Sequence, residues 1–221
     1  MSKYKHGICS ALAFLMLTLT TSVDAALEME LRAVDGDVVL MASGTLDLSS
    51  TTNLAPDSTT AQSAIDAAGA FAPSVVAGSH TAIQVRIECG DVAGPLTIGQ
   101  GTETWKGDSG TGGIVGIYGG GETYGAAGDG LCIMVPKDYV SGAEISASSR
   151  FINSSLSSLG VIAGTYRWTW GTGANADSLT LYIGGRPSPI SVPSLPISML
   201  IFLVGGLGLF GAVRASRYRL S

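Results

Sequence analysis

The sequence predicts an all-β protein: a β-sandwich ectodomain with an N-terminal signal peptide and a single C-terminal transmembrane helix. Short apolar stretches alternate with turn formers, and glycine supplies 31 of the 221 residues. Two hairpin patterns, at 27–43 and 164–183, enclose the middle of the chain. Apolar segments beside basic residues mark both ends. We expect roughly seven to ten strands in the sandwich.

The N-terminus has the layout of an export signal. Basic residues precede an apolar run at 8–19. Val23 and Ala25 then place small side chains at the positions that signal peptidase recognises before its cleavage site. We therefore predict a signal peptide at 1–25, cleaved between Ala25 and Ala26. The alternative, a first transmembrane helix, is disfavoured because the apolar run is short.

Residues 26–190 have the length of one secreted domain. Between 26 and 196 the chain carries 16 Asp and Glu against 7 Lys and Arg. This acidic balance disfavours nucleic acid as a partner. It is compatible with a soluble secreted protein.

The first hairpin follows the predicted cleavage site. Residues 27–34 alternate apolar and polar side chains, Asp35-Gly36 is a hairpin turn signal, and 37–43 form the returning strand. Residues 45–48 extend that strand after a glycine.

The next region is less regular. Residues 49–61 are rich in Ser and Thr and predict a loop, whereas 60–68 fit either a short helix capped by threonine or a loop between strands. Residues 81–88 alternate strictly and predict a strand.

Glycine dominates residues 90–130, which predict loops and short edge strands, with strand character at 114–118. The elements after it are a strand at 131–135, a turn at 137–142, one strand or two short ones at 143–153, and a one-turn connector at 156–162.

The closing hairpin is the strongest signal for the sandwich. In 164–170, Tyr166, Trp168 and Trp170 fall on one face of a strand. A loop follows, and the alternation resumes at 178–183. Two such strands bury an aromatic layer against a facing sheet.

Cysteine usage suits an oxidising compartment. Once Cys9 leaves with the signal peptide, Cys89 and Cys132 form an even pair. They are either bonded, or two buried thiols in strands.

The C-terminal end predicts a membrane span. Residues 197–213 carry no charge and would form a helix of about 25 Å. In the basic tail 214–221, Arg214, Arg217 and Arg219 place this end in the cytoplasm. The alternatives are a buried core helix and a glycosylphosphatidylinositol signal, which usually lacks terminal arginines.

The whole of 191–221 resembles a PEP-CTERM sorting domain of bacteria. The motif residues are Val192, Pro193, Leu195 and Pro196, closest to the VPLPA-type variant, since no glutamate follows Pro193. The resemblance implies an exosortase substrate, cut near this motif. It implies a membrane-anchored precursor at the inner membrane, then release to the cell surface or an extracellular polysaccharide matrix.

A second resemblance lies in the ectodomain. Residues 135–142, with Tyr-Val-Ser-Gly, and 159–181, with Gly-Thr-Tyr-Arg-Trp-Thr-Trp, are similar to a recurrent family of PEP-CTERM proteins. The first hairpin, with residues 36–39 and 44–48, is a weaker match. The resemblance implies a secreted bacterial protein and points to no particular activity.

Two short motifs match catalytic or cofactor patterns only in letters. Residues 107–110 read Gly-Asp-Ser-Gly, but a nucleophilic Ser109 needs a histidine base, and His80 lacks the sequence context of one. Residues 171–176 match a dinucleotide fingerprint, yet a strand follows where a helix is needed. We interpret both as turns.

Metal binding has weak support. Asp35 and Asp37, or Asp108 and Asp129, are the available calcium ligands, without EF-hand or repeat spacing. We therefore predict no metal and no cofactor.

These features predict a structural, non-enzymatic exported protein. The alternative is a carbohydrate-binding module in which an exposed Trp105 contacts sugar, while Trp168 and Trp170 belong to the core. A third hypothesis, a hydrolase with paired carboxylates, depends on spatial separation that a sequence does not give.

Overall fold

The computed structural model describes residues 26–69, 72–126 and 130–187. The predicted signal peptide 1–25, sorting motif 192–196, span 197–213 and tail 214–221 lie outside these residues. Within the described part of the chain, no helix is both long and apolar enough to cross a membrane.

The regular secondary structure of the described residues is almost entirely β-strand, as predicted, but its fourteen strands exceed the expected seven to ten because several have only two or three residues. The strands in chain order are β1 (Ala26–Val34), β2 (Asp37–Thr45), β3 (Thr52–Asn53), β4 (Thr60–Ala61), β5 (Ala64–Asp66), β6 (Ser74–Ala77), β7 (Ile83–Cys89), β8 (Thr104–Lys106), β9 (Ser109–Thr111), β10 (Val115–Tyr118), β11 (Cys132–Pro136), β12 (Glu144–Phe151), β13 (Gly164–Trp170) and β14 (Asp177–Ile183). Two 3₁₀ turns accompany them, at Gly121–Tyr124 and Gly173–Asn175.

The first sheet has the order β13-β14-β1-β2-β12-β9. Its hairpin β1–β2 turns at Asp35 (φ 51°) and Gly36 (φ 87°), which confirms the predicted Asp-Gly turn. β1 also pairs in parallel with β14, from Ala26 opposite Ser178 to Leu31 opposite Ile183. The first and last strands of the domain are therefore neighbours in the middle of one sheet.

The second sheet has the order β3-β7-β11-β10-β6-β5-β8, with β4 also paired to β7. Its edges are short strands of two or three residues. Short edges limit pairing with other chains.

One continuous core combines side chains from both sheets, which gives a sandwich-like arrangement. β1 alternates as predicted, burying Leu27, Met29 and Leu31, and the second sheet contributes residues such as Ile133 and Val135. The closing hairpin adds its aromatic residues to this main core.

The second sheet is apolar on its other face as well. Alternate residues of β6 and β11, Val76 and Met134, join Val85 and Ile87 of β7 in a separate outer cluster. Loops and short strands cover only parts of this face, and an open groove lies between them.

Residues 60–68 do not form the short helix that was one of two predictions. The segment holds β4 and β5, and Ile65 of β5 is fully buried between β6 and β8. Pairing on both sides of β5 overrides the helix propensity of its alanines. The predicted loop 49–61 likewise contains β3, whereas 143–153 holds the single strand β12.

Candidate functional site: a motif junction and an open groove

Cys89 and Cys132 are joined by a disulfide. They lie directly opposite each other in the ladder between β7 and β11, with Cα atoms 4.4 Å apart. Both side chains are buried in the outer cluster. The bond therefore fastens two neighbouring strands of the second sheet from its outer face.

The Gly-Asp-Ser-Gly stretch is the turn between two edge strands, β8 and β9. Ser109 is exposed on β9. Asp108 accepts a hydrogen bond from the Ile152 amide at 2.7 Å, and its own amide donates to the carbonyl of Arg150 at 2.9 Å. Asp108 thus fixes the end of β12.

The carboxylate of Asp37 likewise stabilises the end of β12. It accepts hydrogen bonds from the Asn153 amide at 2.8 Å and from Arg150 Nε at 2.5 Å. These two bonds hold the pKa of Asp37 below its usual value. Across the described residues no group of three His, Cys, Asp or Glu could hold a metal ion. Asp129 lies outside them.

The loop 171–176 joins the two strands of the closing hairpin. Gly171 has φ 68°, one 3₁₀ turn follows, and β14 begins at Asp177. The loop therefore opens a strand, as the sequence predicted, and lacks the helix on which a dinucleotide fingerprint depends.

The tryptophans divide between core and edge. Trp168 and Trp170 are 0% and 2% exposed, which confirms that they belong to the core. Trp105 is half-buried on β8 and packs against the main core. It is therefore not the exposed ring that the carbohydrate-binding alternative required, and it does not line the outer face of the second sheet.

Three stretches that carry the sequence resemblance meet at residues 46–48, and we name this contact region the motif junction. Leu46 donates its amide to the hydroxyl oxygen of Tyr139 at 2.9 Å, and Leu48 donates to Ser141 Oγ at 2.9 Å. Tyr139 and Ser141 belong to the turn between β11 and β12. That turn is therefore fastened to the end of β2.

The closing hairpin fastens the same segment from another side. Trp170 Nε1 donates to the carbonyl of Asp47 at 2.8 Å, and the Asp47 amide donates to Asp177 Oδ2 at 2.5 Å. The Ser49 amide, together with the Ser141 hydroxyl, lowers the pKa of Asp47. Burial is the main cause that raises the pKa of Tyr139. The junction satisfies buried polar groups and supports the fold.

An open groove lies on the outer face of the second sheet, and we name it the Tyr118 groove. It has a volume of about 380 Å³. Val76, Met134 and Tyr118 give it apolar walls. Its polar side chains include Asp66, Thr104 and Thr123.

Tyr118 carries an aromatic ring to the groove wall. Its centroid lies 6.4 Å from that of Tyr124, with the ring planes 50° apart. Burial, and secondly the neighbouring Tyr124, raises the pKa of Tyr118 above its usual value. At neutral pH its hydroxyl is therefore an uncharged donor and acceptor.

Sequence reasoning missed the Tyr118 groove. Residues of β4, β5, β6, β8, β10 and β11 line it together with loop residues, and each strand contributes only one or two of them. The sequence signal that could have indicated it is the alternation in 115–118. Ile117 belongs to the main core, so Tyr118, the next residue, lies on the opposite face of the sheet. This alternation does not say which strands lie alongside.

Comparisons with known proteins leave the chain without a family assignment. No family model matches it. No curated protein is significantly similar to it. No solved structure resembles it significantly either.

Proposed function

We propose that this chain is an exported bacterial surface or extracellular-matrix protein with a structural, non-enzymatic role. It is delivered by the signal peptide 1–25, held at the inner membrane by 197–213, and processed by an exosortase near 192–196. Signal peptidase and exosortase are its processing partners, and the exopolysaccharide of the matrix is its surroundings.

The disulfide between Cys89 and Cys132 is the observation that carries this proposal. Disulfides persist in oxidising compartments and are rare in the reducing cytosol. Because this bond joins β7 and β11, two neighbouring strands of the second sheet, the domain completes its fold in an oxidising compartment after export.

The motif junction supports a structural role. Residues 46–48 form hydrogen bonds with four residues that carry the ectodomain resemblance: Tyr139, Ser141, Trp170 and Asp177. These bonds connect the end of β2 to the turn before β12 and to the closing hairpin. Side chains that take part in a reaction are expected at an open cleft. These side chains instead stabilise the sandwich.

Mass spectrometry of protein from exosortase-positive and exosortase-deficient cells tests the processing. The mature chain is expected to begin at Ala26 and, only in exosortase-positive cells, to end between Val192 and Pro196. A Pro193→Ala, Pro196→Ala double variant should keep its C-terminal arginines, whereas a Pro187→Ala control should be processed normally. A wild-type product that keeps Arg219 in exosortase-positive cells would contradict the sorting proposal.

The second candidate function is a carbohydrate-binding module of the exopolysaccharide matrix. The Tyr118 groove favours it, because its volume of about 380 Å³ and its mixed polar and apolar walls suit a small ligand. A glycan array probed with the purified protein tests it. If the protein binds no saccharide on the array, the carbohydrate-binding function is contradicted and only the structural role is left.

A further inference from the structure

We infer that the Tyr118 groove is a site for a neutral saccharide, with the Tyr118 ring as a stacking surface. This inference rests on the second candidate function and names its site and its ligand class.

The groove has the size of a small-ligand site. Its volume of about 380 Å³ lies within the range of roughly 300–1,000 Å³ typical of such pockets. Its lining includes the buried residues Val76 and Met134 and three glycines, Gly69, Gly119 and Gly120. Gly119 is packed so closely that a Cβ there would lie 2.1 Å from the carbonyl oxygen of Ala72.

The groove offers an apolar surface and polar groups together. A pyranose ring has apolar C–H faces and hydroxyl groups around its edge. The half-buried Tyr118 ring provides a surface for one of these faces, while Asp66, Thr104 and Thr123 provide partners for the hydroxyls. A purely apolar ligand would leave these polar groups without water or partners, which is costly.

The charge of the groove decides the class of saccharide. Among the described residues that line it, Asp66 is acidic and none is Lys, Arg or His. An acidic saccharide would therefore meet repulsion without a cation to pair with it. Asp66 Oδ2 accepts a hydrogen bond from Thr104 Oγ1 at 3.3 Å, which orients the carboxylate beside the groove.

A second pocket, on the outer face of the first sheet, is less suited to a ligand. Its charged groups already pair with each other, since Arg186 Nη1 lies 2.7 Å from Glu28 Oε2. The Arg186 guanidinium also lies over the Tyr182 ring, 5.3 Å from its centroid. This pocket, which Thr111 lines, provides the matched control.

Calorimetric titration with neutral, acidic and amino oligosaccharides, using protein purified from the producing cells, tests the inference. Two variants, Thr104→Trp and Thr123→Trp, fill the groove from exposed positions. Each should weaken binding of a neutral saccharide by about tenfold or more, because the bulky ring occupies its volume. Thr111→Trp, at an exposed position of the other sheet, should bind like the wild type.

The outcomes separate the site from the function. Unchanged melting of the variants, with binding lost only in Thr104→Trp and Thr123→Trp, is the expected result. Saccharide binding that survives both substitutions would overturn the groove assignment and leave the binding function standing. A preference for acidic or amino saccharides would overturn the ligand class, and no binding at all would overturn both the inference and the second candidate function.

Discussion

Replacing Tyr139 with phenylalanine removes one oxygen atom from the centre of the motif junction. That oxygen accepts a hydrogen bond from the Leu46 amide at 2.9 Å, and its proton donates to the carbonyl of Ala143 at 2.8 Å or of Leu46 at 3.1 Å. The Leu46 carbonyl keeps a partner, because the Gly142 amide donates to it at 2.8 Å. The Leu46 amide loses its acceptor.

The expected loss follows from that single buried donor. Leu46 is 0% exposed and Tyr139 is 8% exposed, so water does not easily replace the hydroxyl. An unsatisfied buried donor costs about 1–3 kcal/mol. We therefore expect Tyr139→Phe to lower the free energy of unfolding by about 2 kcal/mol, the middle of that range.

Urea denaturation followed by tryptophan fluorescence measures this change. Trp170 bonds to Asp47 within the same junction and reports its loss. Tyr182→Phe is the matched control, since Tyr182 lies half-buried on β14 and its ring contacts Arg186 through its face. If Tyr139→Phe unfolds at the wild-type urea concentration, or if both variants lose the same stability, the Tyr139 hydroxyl does not stabilise the junction.

Two further changes test other parts of the fold. Replacing both Cys89 and Cys132 with serine opens a link across a sequence separation of 43 residues. The chain-entropy relation gives a loss of about 4 kcal/mol, measurable by the same denaturation, and a loss near zero would show that the bond constrains little. Asp37→Asn tests the pKa of Asp37, which Asn153 and Arg150 lower. A lowered native pKa stabilises the fold above the unfolded pKa of about 3.9, and this contribution is lost as pH falls through the native value. The variant should therefore be less stable than the wild type at pH 7 and approach it in acid; a difference that is constant with pH would contradict the assignment.

The regular strands could be predicted because they are long and alternate. Residues 27–34 form β1, and the Asp35-Gly36 turn has the positive φ values that its residue types favour. The closing hairpin likewise buries Trp168 and Trp170 on one face. In these elements a period of two residues fixes both the structure and the buried side.

Short strands escaped prediction because their partners define them. β5 is three residues long, and its segment has helix-forming composition. It is a strand because β6 and β8 pair with it on either side. No local pattern in so few residues distinguishes these outcomes.

Local sequence patterns predict the all-β class, the two main hairpins and the place of Trp168 and Trp170 in the core, because each depends on neighbouring residues. The parallel pairing of β1 with β14, the meeting of three stretches at 46–48 and the Tyr118 groove depend on how the strands assemble. These features bring together residues far apart in the chain. Their physical cause is the stacking and order of the strands, which determine the neighbours that a side chain meets.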